Sequence, residues 1–205
     1  MNTILPFSES PAGTEASAAR HLPKTERDRL LKGEILLTSH TAELWGTGVT
    51  AQMHLSLAPD NAWSQLTHYP RWVEYFPDMT QSTLLQDCPD AHAKPDSRTK
   101  KVFQAASKHF LMLAVQVEVY LQVTERVQGV RRHICFRQER GSFKSFLANL
   151  ALEPMGFGTL LTYTVEAAPM LPIPTPLIQE AVRLDLPRNM QQMRQVLCGD
   201  SRRIC

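Results

Sequence analysis

Acid–base chemistry in an internal pocket needs a histidine, aspartate or glutamate that lies inside the protein with a tuned pKa. The chain contains such residues, but in its clearest strand patterns they occupy the polar positions. His54 and Glu118 alternate with apolar neighbours, as do His133 and Glu166. Because side chains in a strand alternate between its two faces, we predict that these four point away from the interior.

Recognised catalytic and metal-binding motifs are also missing from the sequence. It has no Gly-rich phosphate loop, no GxSxG elbow and no HExxH pair. Its cysteines form no CxxC pair and have no histidine at ligand spacing; they are Cys88, Cys135, Cys198 and Cys205. We therefore predict no catalytic residue, no metal site and no cofactor, and the chain is more plausibly a binding protein than an enzyme.

A few polar side chains fall on positions predicted to be internal. Tyr163 shares its strand face with apolar residues, so its hydroxyl needs a buried partner, either a structural one or a ligand carbonyl. Gln104 and Arg132 are further candidates for the same pocket, although Arg132, near a strand end, can also extend to solvent. His68 is the histidine closest to the presumed pocket mouth, and a surface turn explains it equally well.

An aromatic cluster, Trp72, Tyr75 and Phe76, stands at helical spacing. One interpretation is a movable gate at the entrance of a lipid pocket. The other is that the three rings pack short helices onto a sheet. Trp63 lies on the stripe of Leu66, and we interpret it as core.

A strand followed by two short helices must position this cluster. The strand pattern is a strict alternation over residues 49–57. Asp60 then offers an acidic helix N-cap. The apolar residues that follow at helical spacing are Ala62, Trp63, Leu66, Tyr69, Trp72, Val73 and Phe76.

The clearest strand covers Leu113–Thr124. We predict further strands at 79–85, 100–107, 130–138, 142–152 and 159–167. A surface loop at 87–97 joins the first two, and short turns near residues 129, 141 and 156 join the later ones, which predicts an antiparallel meander. The residues on the internal face of the strands form either a cavity wall or a solid core; those we predict to contact a ligand are Val115, Val117, Val119, Phe136 and Tyr163.

A long helix follows a cluster of four prolines near residue 172. Its apolar stripe consists of Leu177, Ala181, Leu184, Met190, Met193 and Leu197, of which the first three are predicted ligand contacts. Pro187 lies inside the pattern and should bend or divide the helix, because it lacks an N–H group.

Length and composition fit one domain with tails. The chain has 205 residues, 43% hydrophobic residues and a net charge of +2. Its longest apolar run, Phe110–Val115, is far below the ~20 residues of a membrane span, and no secretory signal is visible. We predict a largely disordered extension at 1–40 with a short helix at 25–32 that begins with a Thr25–Asp28 capping box, a domain at 41–198 and a flexible tail at 199–205. A cytoplasmic location follows, with peripheral membrane contact left open.

Three segments resemble the START-like superfamily, also called the SRPBCC or polyketide cyclase/dehydrase and lipid-transport group. They are LAPDNAWSQLTHYPRWVEYFPDM, GSFKSFLANLALEP and GTLLTYTVEAAPMLPIPTPLIQEAVRLDLPRNM. Within the superfamily, the chain looks most similar to the coenzyme Q-binding START-type branch, and the LKGEIL lead-in looks similar to cyanobacterial members. The chain departs from that pattern at His68, where an acidic residue is common, and at 148–150, where Gly-x-Trp is common.

The resemblance implies an α+β helix-grip fold, in which a curved antiparallel sheet of about seven strands wraps a long C-terminal helix. It also implies an elongated apolar cavity between them that binds a lipid, isoprenoid or quinone-like molecule, without a protein cofactor. A cyclase or dehydratase using the same cavity is the alternative.

A third interpretation rests on a basic hairpin. Arg131, His133 and Arg137 share one strand face, with Arg140 and Lys144 nearby. Such a face can meet anionic lipid headgroups, a protein or RNA, but charges on an outer face are usually only solvated. We expect no nucleic-acid partner.

Overall fold

The computed structural model describes residues 22–42, 46–88, 96–110, 113–170 and 175–200. In chain order its elements are α1 (Lys24–Leu31), β1 (Leu36–Ala42), β2 (Gly46–Leu55), α2 (Pro59–Leu66), a 3₁₀ turn (Tyr69–Arg71), α3 (Trp72–Tyr75), β3 (Met79–Cys88), β4 (Ser97–Phe110), β5 (Leu113–Gln128), β6 (Arg131–Gly141), β7 (Phe143–Met155), β8 (Gly158–Pro169) and α4 (Thr175–Asp200). The predicted α+β helix-grip class is confirmed.

The strands form one curved antiparallel sheet in the order β1-β2-β8-β7-β6-β5-β4-β3. It has eight strands rather than about seven, because residues 36–42 pair with β2. Part of β1 therefore comes from the segment that the sequence assigns to the N-terminal extension. Hairpin pairing runs unbroken from β3 to β8, as the predicted meander requires.

Two hairpins turn at the same end of the sheet, which we call the turn end. Gln128 pairs with Arg131 and Met155 pairs with Gly158, so each turn has two residues, Gly129–Val130 and Gly156–Phe157. Both glycines have positive φ, +59° and +61°. That conformation suits the tight turns whose twist matches paired strands.

The main core lies between the concave face of the sheet and the helices. Alternate residues of β2 enter it, as the sequence pattern predicts, together with residues of α2, α3 and α4. From α4 it receives Leu186, Met190, Met193 and Leu197, spaced three to four residues apart. The predicted stripe is confirmed for the last three.

Helix α1 packs on the other face of the sheet. Its Leu30 is fully buried with Met155 and Leu160 in a second, smaller core. The predicted capping box is wrong, since the N-cap is Pro23 and makes no side-chain hydrogen bond. Asp60 is likewise not a cap, because Ala58 holds that position in α2.

Helix α4 runs through Pro187 as one continuous element, so the proline does not divide it. Side-chain hydrogen bonds between described residues hold its C-terminal half. Gln65 donates to the Leu197 carbonyl at 3.2 Å, and Gln192 donates to the Glu74 carbonyl at 3.2 Å. Arg194 donates to the Gly33 carbonyl at 2.8 Å.

The predicted disorder of residues 1–21 and the predicted tail from 201 lie outside the described residues. The short helix predicted at 25–32 is present as α1. Within the described part of the chain, no helix is long and apolar enough to span a membrane.

Candidate ligand-binding site

Burial on the concave face decreases steadily along β5. Val123 and Leu121 are 0% and 1% exposed, Val119 is 7% exposed, and Val117 is only half-buried. The residues between them, such as Gln122, face solvent, so the predicted alternation is confirmed. The concave-face side chains of β5 are therefore fully buried, or sealed, near the turn end and partly accessible toward the start of the strand.

Neighbouring strands show the same trend. In β7, Leu152 and Leu150 are fully buried, whereas Phe146 is half-buried. In β8, Leu161 is fully buried and Val165 is half-buried.

We call the parts of β5, β7 and β8 that hold Val117, Phe146 and Val165 the loose end of the concave face. On each strand this part lies farther from the turn end than the sealed part, and its side chains remain apolar. Val165 is in register with Val123 of β5 through Ala148 and Phe136.

Tyr163 lies where the sealed part meets the loose end. Its side chain is buried, and burial raises the pKa of its phenol. Its ring lies 6.1 Å from that of Phe76. The enclosed side-chain polar atoms without a partner among the described residues are His54 Nε2 and Gln138 Oε1, and the Tyr163 hydroxyl is not one of them.

Two side chains of the aromatic cluster are buried and hydrogen-bonded, and the third is only partly buried. Trp72 is buried, and its indole Nε1–H donates to the Leu66 carbonyl at 2.8 Å. Tyr75 is fully buried, and its hydroxyl donates to the Gln65 carbonyl at 3.2 Å. Phe76 stacks on Trp72 at 5.5 Å and is only partly buried. The contacts of Trp72 and Tyr75 are those of packing, and Phe76 is the member closest to Tyr163.

Phe136 belongs to the sealed part. It is 1% exposed and lies 4.7 Å from Trp72 and 6.1 Å from Tyr69, ring centre to ring centre. The other predicted contacts, Val115, Leu177, Ala181 and Leu184, have side chains outside the described residues. Among the predicted contacts whose side chains are described, only Val117, Val119, Phe76 and Tyr163 lie at or beside the loose end.

A buried polar cluster occupies the concave face toward the turn end. The carboxylate of Glu125 accepts the Tyr69 hydroxyl at 2.6 Å and the Lys100 ammonium at 2.7 Å. The Lys100 and Glu125 side chains are 12% and 7% exposed. Lys100 also lies 5.3 Å from the centre of the Tyr69 ring. Burial, followed by the charge of Glu125, raises the pKa of Tyr69, which keeps its proton.

The sequence interpretation missed Glu125 because the predicted strand stopped at Thr124. The strand continues to Gln128, so the internal parity of residues 113–123 extends to position 125. A longer reading of the same alternation would have found it. The predicted pocket residue Gln104 is buried, but it donates to Ser82 at 3.3 Å, so it is already paired.

Arg132 does not line the concave pocket. It donates to Asp60 at 2.7 Å, at the start of α2. His68 is exposed, consistent with a surface turn. Arg137, Arg140 and Lys144 are exposed, and the Arg140 guanidinium lies 3.6 Å from the centre of the Tyr120 ring.

The outward histidines and carboxylates follow the predicted parity. Glu118 is exposed, while His133 and Glu166 are partly buried. His54 is partly buried too, and its Nε2 is enclosed without a hydrogen-bond partner. Burial lowers its pKa, against an opposing hydrogen bond with the Met155 backbone.

Comparison with known families places this fold in a defined group. The model of the polyketide cyclase/dehydrase and lipid transport family matches residues 55–194, and the chain belongs to that family. No curated protein sequence shows significant similarity to the chain.

Solved structures with the same fold include several lipid-transfer proteins. A STAR-related lipid transfer protein from Xanthomonas axonopodis is similar with a TM-score of 0.63 and 16% identity, over 80% of this chain and 93% of the other. Human StAR-related lipid transfer protein 5 gives a TM-score of 0.64 and 10% identity, over 84% and 83% of the two chains.

An enzyme shares the fold as well. The Zhui aromatase/cyclase from Streptomyces sp. R1128 gives a TM-score of 0.50 and 12% identity, over 83% of this chain and 95% of the other. At these identities the likeness extends to the fold alone. The coenzyme Q-binding branch and a cyanobacterial source stay predictions, since none of these matches tests them.

Proposed function

We propose that the chain binds a hydrophobic small molecule between the concave face of the sheet and α4, as a carrier or chaperone. The observation that carries this proposal is the graded burial of the concave face. Side chains such as Leu121 and Leu150 are sealed, whereas Val117, Phe146 and Val165 are apolar and still accessible. Accessible apolar side chains on an internal face are what a ligand would cover.

The driving force would be apolar burial, at about 25 cal/mol per Å² before the costs of association. The ligand would occupy the loose end and contact Val117, Val119, Phe76 and Tyr163. The first half of α4, with Leu177, Ala181 and Leu184, and Val115 of β5 would complete the wall. Trp72, Tyr75 and Phe136 would support this wall from behind.

Tyr163 narrows the ligand class. Its ring lies beside Phe76 at the boundary of the loose end, where its hydroxyl would donate a hydrogen bond to a ligand carbonyl oxygen. A lipid, isoprenoid or quinone-like molecule with an apolar chain and a carbonyl oxygen fits this arrangement. A quinone-like ligand is the finer proposal.

Native mass spectrometry tests the proposal. The purified chain is incubated with an isoprenoid quinone, and the bound fraction is compared with that of two variants. Val117→Trp places a large ring at the loose end and should abolish the adduct. Val127→Trp makes the same change on the same strand at the turn end, where Val127 is 37% exposed, and should leave binding intact.

A wild-type chain that takes up neither a quinone nor a fatty acid would refute the carrier function. Equal binding by the two tryptophan variants would refute the location. Tyr163→Phe should weaken quinone binding about tenfold through the lost hydrogen bond, and should leave the binding of an alkane chain without a carbonyl unchanged.

A cyclase or dehydratase is the second candidate, and one observation favours it. Glu125, Lys100 and Tyr69 are ionisable groups that meet on the concave face. Against it, the Glu125 carboxylate already accepts two hydrogen bonds, which leaves it poorly placed to take a proton from a substrate.

Turnover of a linear poly-β-ketone thioester, followed by the absorbance of an aromatic product, tests this candidate. Glu125→Gln should abolish turnover, thermal denaturation checks that the variant is still folded without the Lys100 counter-ion, and Glu139→Gln on the exposed Lys101–Glu139 pair is the matched control. Absence of turnover by the wild-type chain would remove the enzyme candidate.

A further inference from the structure

Exposed apolar side chains gather at the turn end of the molecule. Phe157 is fully exposed and Val130 is 65% exposed, each at the second position of a two-residue turn. Turn positions of this kind usually carry polar residues. Leu31 and Val127 add 46% and 37% exposure. We call these four residues the tip patch.

The geometry makes the tip patch one surface. The β5–β6 and β7–β8 hairpins are neighbours, because Arg132 of β6 pairs with Leu152 of β7. Leu31 lies beside the second turn, since its Cδ2 is 3.9 Å from the position of a Cβ on Gly156. The two tips therefore lie side by side at one edge of the sheet, and Leu31 at the end of α1 lies next to one of them.

Charges of both signs lie behind the tips. Lys32 and Arg126 are exposed next to the tip patch, as are Asp28, one helical turn before Leu31, and Asp96, whose backbone carbonyl accepts the Val127 N–H at 3.0 Å. Three acids at this end are held in ion pairs, at 3.5, 2.7 and 2.8 Å respectively: Glu153 with Arg131, Asp60 with Arg132 and Glu34 with Arg29. Their negative charge is thereby offset, while the two exposed cations can reach phosphate groups.

The shape favours a bilayer over a folded protein. Four side chains on protruding tips expose less than the ~800 Å² per partner that a stable protein interface buries. A convex ridge would also need matching pockets in a protein partner. Lipid, in contrast, fits around protruding apolar side chains, with cations at the headgroup level.

We propose that the tip patch anchors the protein peripherally to a lipid bilayer, with Phe157 inserted between the acyl chains. This inference does not depend on the proposed ligand. Because the loose end lies farther from the turn end than the sealed part does, the anchored protein would present its ligand-binding region to the aqueous side.

Co-sedimentation of the full chain with vesicles tests the anchor. Wild type should bind vesicles of phosphatidylcholine and phosphatidylglycerol, and Phe157→Asp should reduce the partition coefficient about tenfold or more, since a buried aromatic ring is lost. Met170→Asp is the matched control, because Met170 is 60% exposed at the opposite end of β8. It should bind as wild type does.

Insertion of residue 157 into the bilayer is measured with the Phe157→Trp variant. The fluorescence of this tryptophan should be quenched by brominated acyl chains. The proposal is overturned if wild type binds no vesicles, if Phe157→Asp binds unchanged, or if Met170→Asp loses as much binding. A concentration-dependent dimer that Phe157→Asp abolishes, without vesicle binding, would overturn it in favour of a second copy of the chain. Unchanged thermal unfolding of both aspartate variants confirms that they fold.

Discussion

At the scale of single residues, the concave face holds two different kinds of polar group. The Glu125 carboxylate accepts hydrogen bonds from Lys100 and Tyr69, and these contacts stabilise the fold. Tyr163 is buried beside Phe76 at the boundary of the loose end, which is why it enters the functional proposal. The sequence predicted that Tyr163 is internal, because alternation alone decides the face of a strand. Continuing the alternation to position 125 would have placed Glu125 inside, but the sequence could not predict that Tyr69, 56 residues away, meets it there.

Glu125→Ala should destabilise the fold by about 3 kcal/mol, because it leaves the Lys100 ammonium buried without its counter-ion. The Glu139→Ala change removes the acid of an exposed pair with Lys101 and should cost less than about 1 kcal/mol. Urea denaturation of both variants measures the difference. Similar losses of unfolding free energy in the two variants would show that the buried Lys100–Glu125 pair stabilises the fold no more than the exposed pair does.

His54 predicts a pH dependence of stability. Burial lowers its pKa below the ordinary 6.5, so the unfolded chain takes up the proton first as pH falls. Its contribution to stability is therefore complete above pH 6.5 and is lost as pH falls from 6.5 toward the lowered pKa. His54→Gln should flatten the free energy of unfolding across this window, relative to the exposed-site control His68→Gln. Identical pH profiles for wild type and His54→Gln would contradict the assignment.

At the scale of elements, the strands were predictable and their ends were not. Alternation indicated the buried face of β2, β5 and β8, because the period of two is local. It did not show where pairing stops, since that depends on the partner strand, and β5 exceeds its predicted end by four residues. The capping predictions failed for a related reason: Pro23 and Ala58 precede the helices, and no side chain caps them.

Gly158 shows how closely two elements approach. A Cβ at this position would overlap the Leu55 carbonyl oxygen and crowd the His54 imidazole. Gly158→Ala should therefore cost about 1–3 kcal/mol through overpacking. Gly199→Ala, in an exposed turn of α4 with nothing within 4 Å, should instead be neutral or stabilising by about 0.5 kcal/mol. Thermal denaturation separates the two, and an unchanged midpoint for Gly158→Ala would contradict the close packing.

At the scale of the whole molecule, one end is sealed and carries the tip patch, and the other is loose. The C-terminal half of α4 is hydrogen-bonded to α2, α3 and the segment after α1, so that half is held in place. The sequence predicted the sheet and the helix that covers it. It could not predict the burial gradient, because periodicity assigns a side chain to a face but does not say whether neighbouring volume fills the space beside it.

The decrease in burial from the turn end to the loose end, and the ligand site inferred from it, are tested most directly by paramagnetic relaxation enhancement in solution. The methyl groups of valine and leucine are isotopically labelled, and a stearic acid with a spin label near its methyl end is added. Signals of Val117 and Val165 should broaden strongly, while those of Leu152 and Leu161, which pair closer to the turn end, should keep their intensity. Reduction of the spin label with ascorbate should restore the lost signals. Uniform broadening, or broadening confined to the turn end, would contradict an apolar ligand site at the loose end.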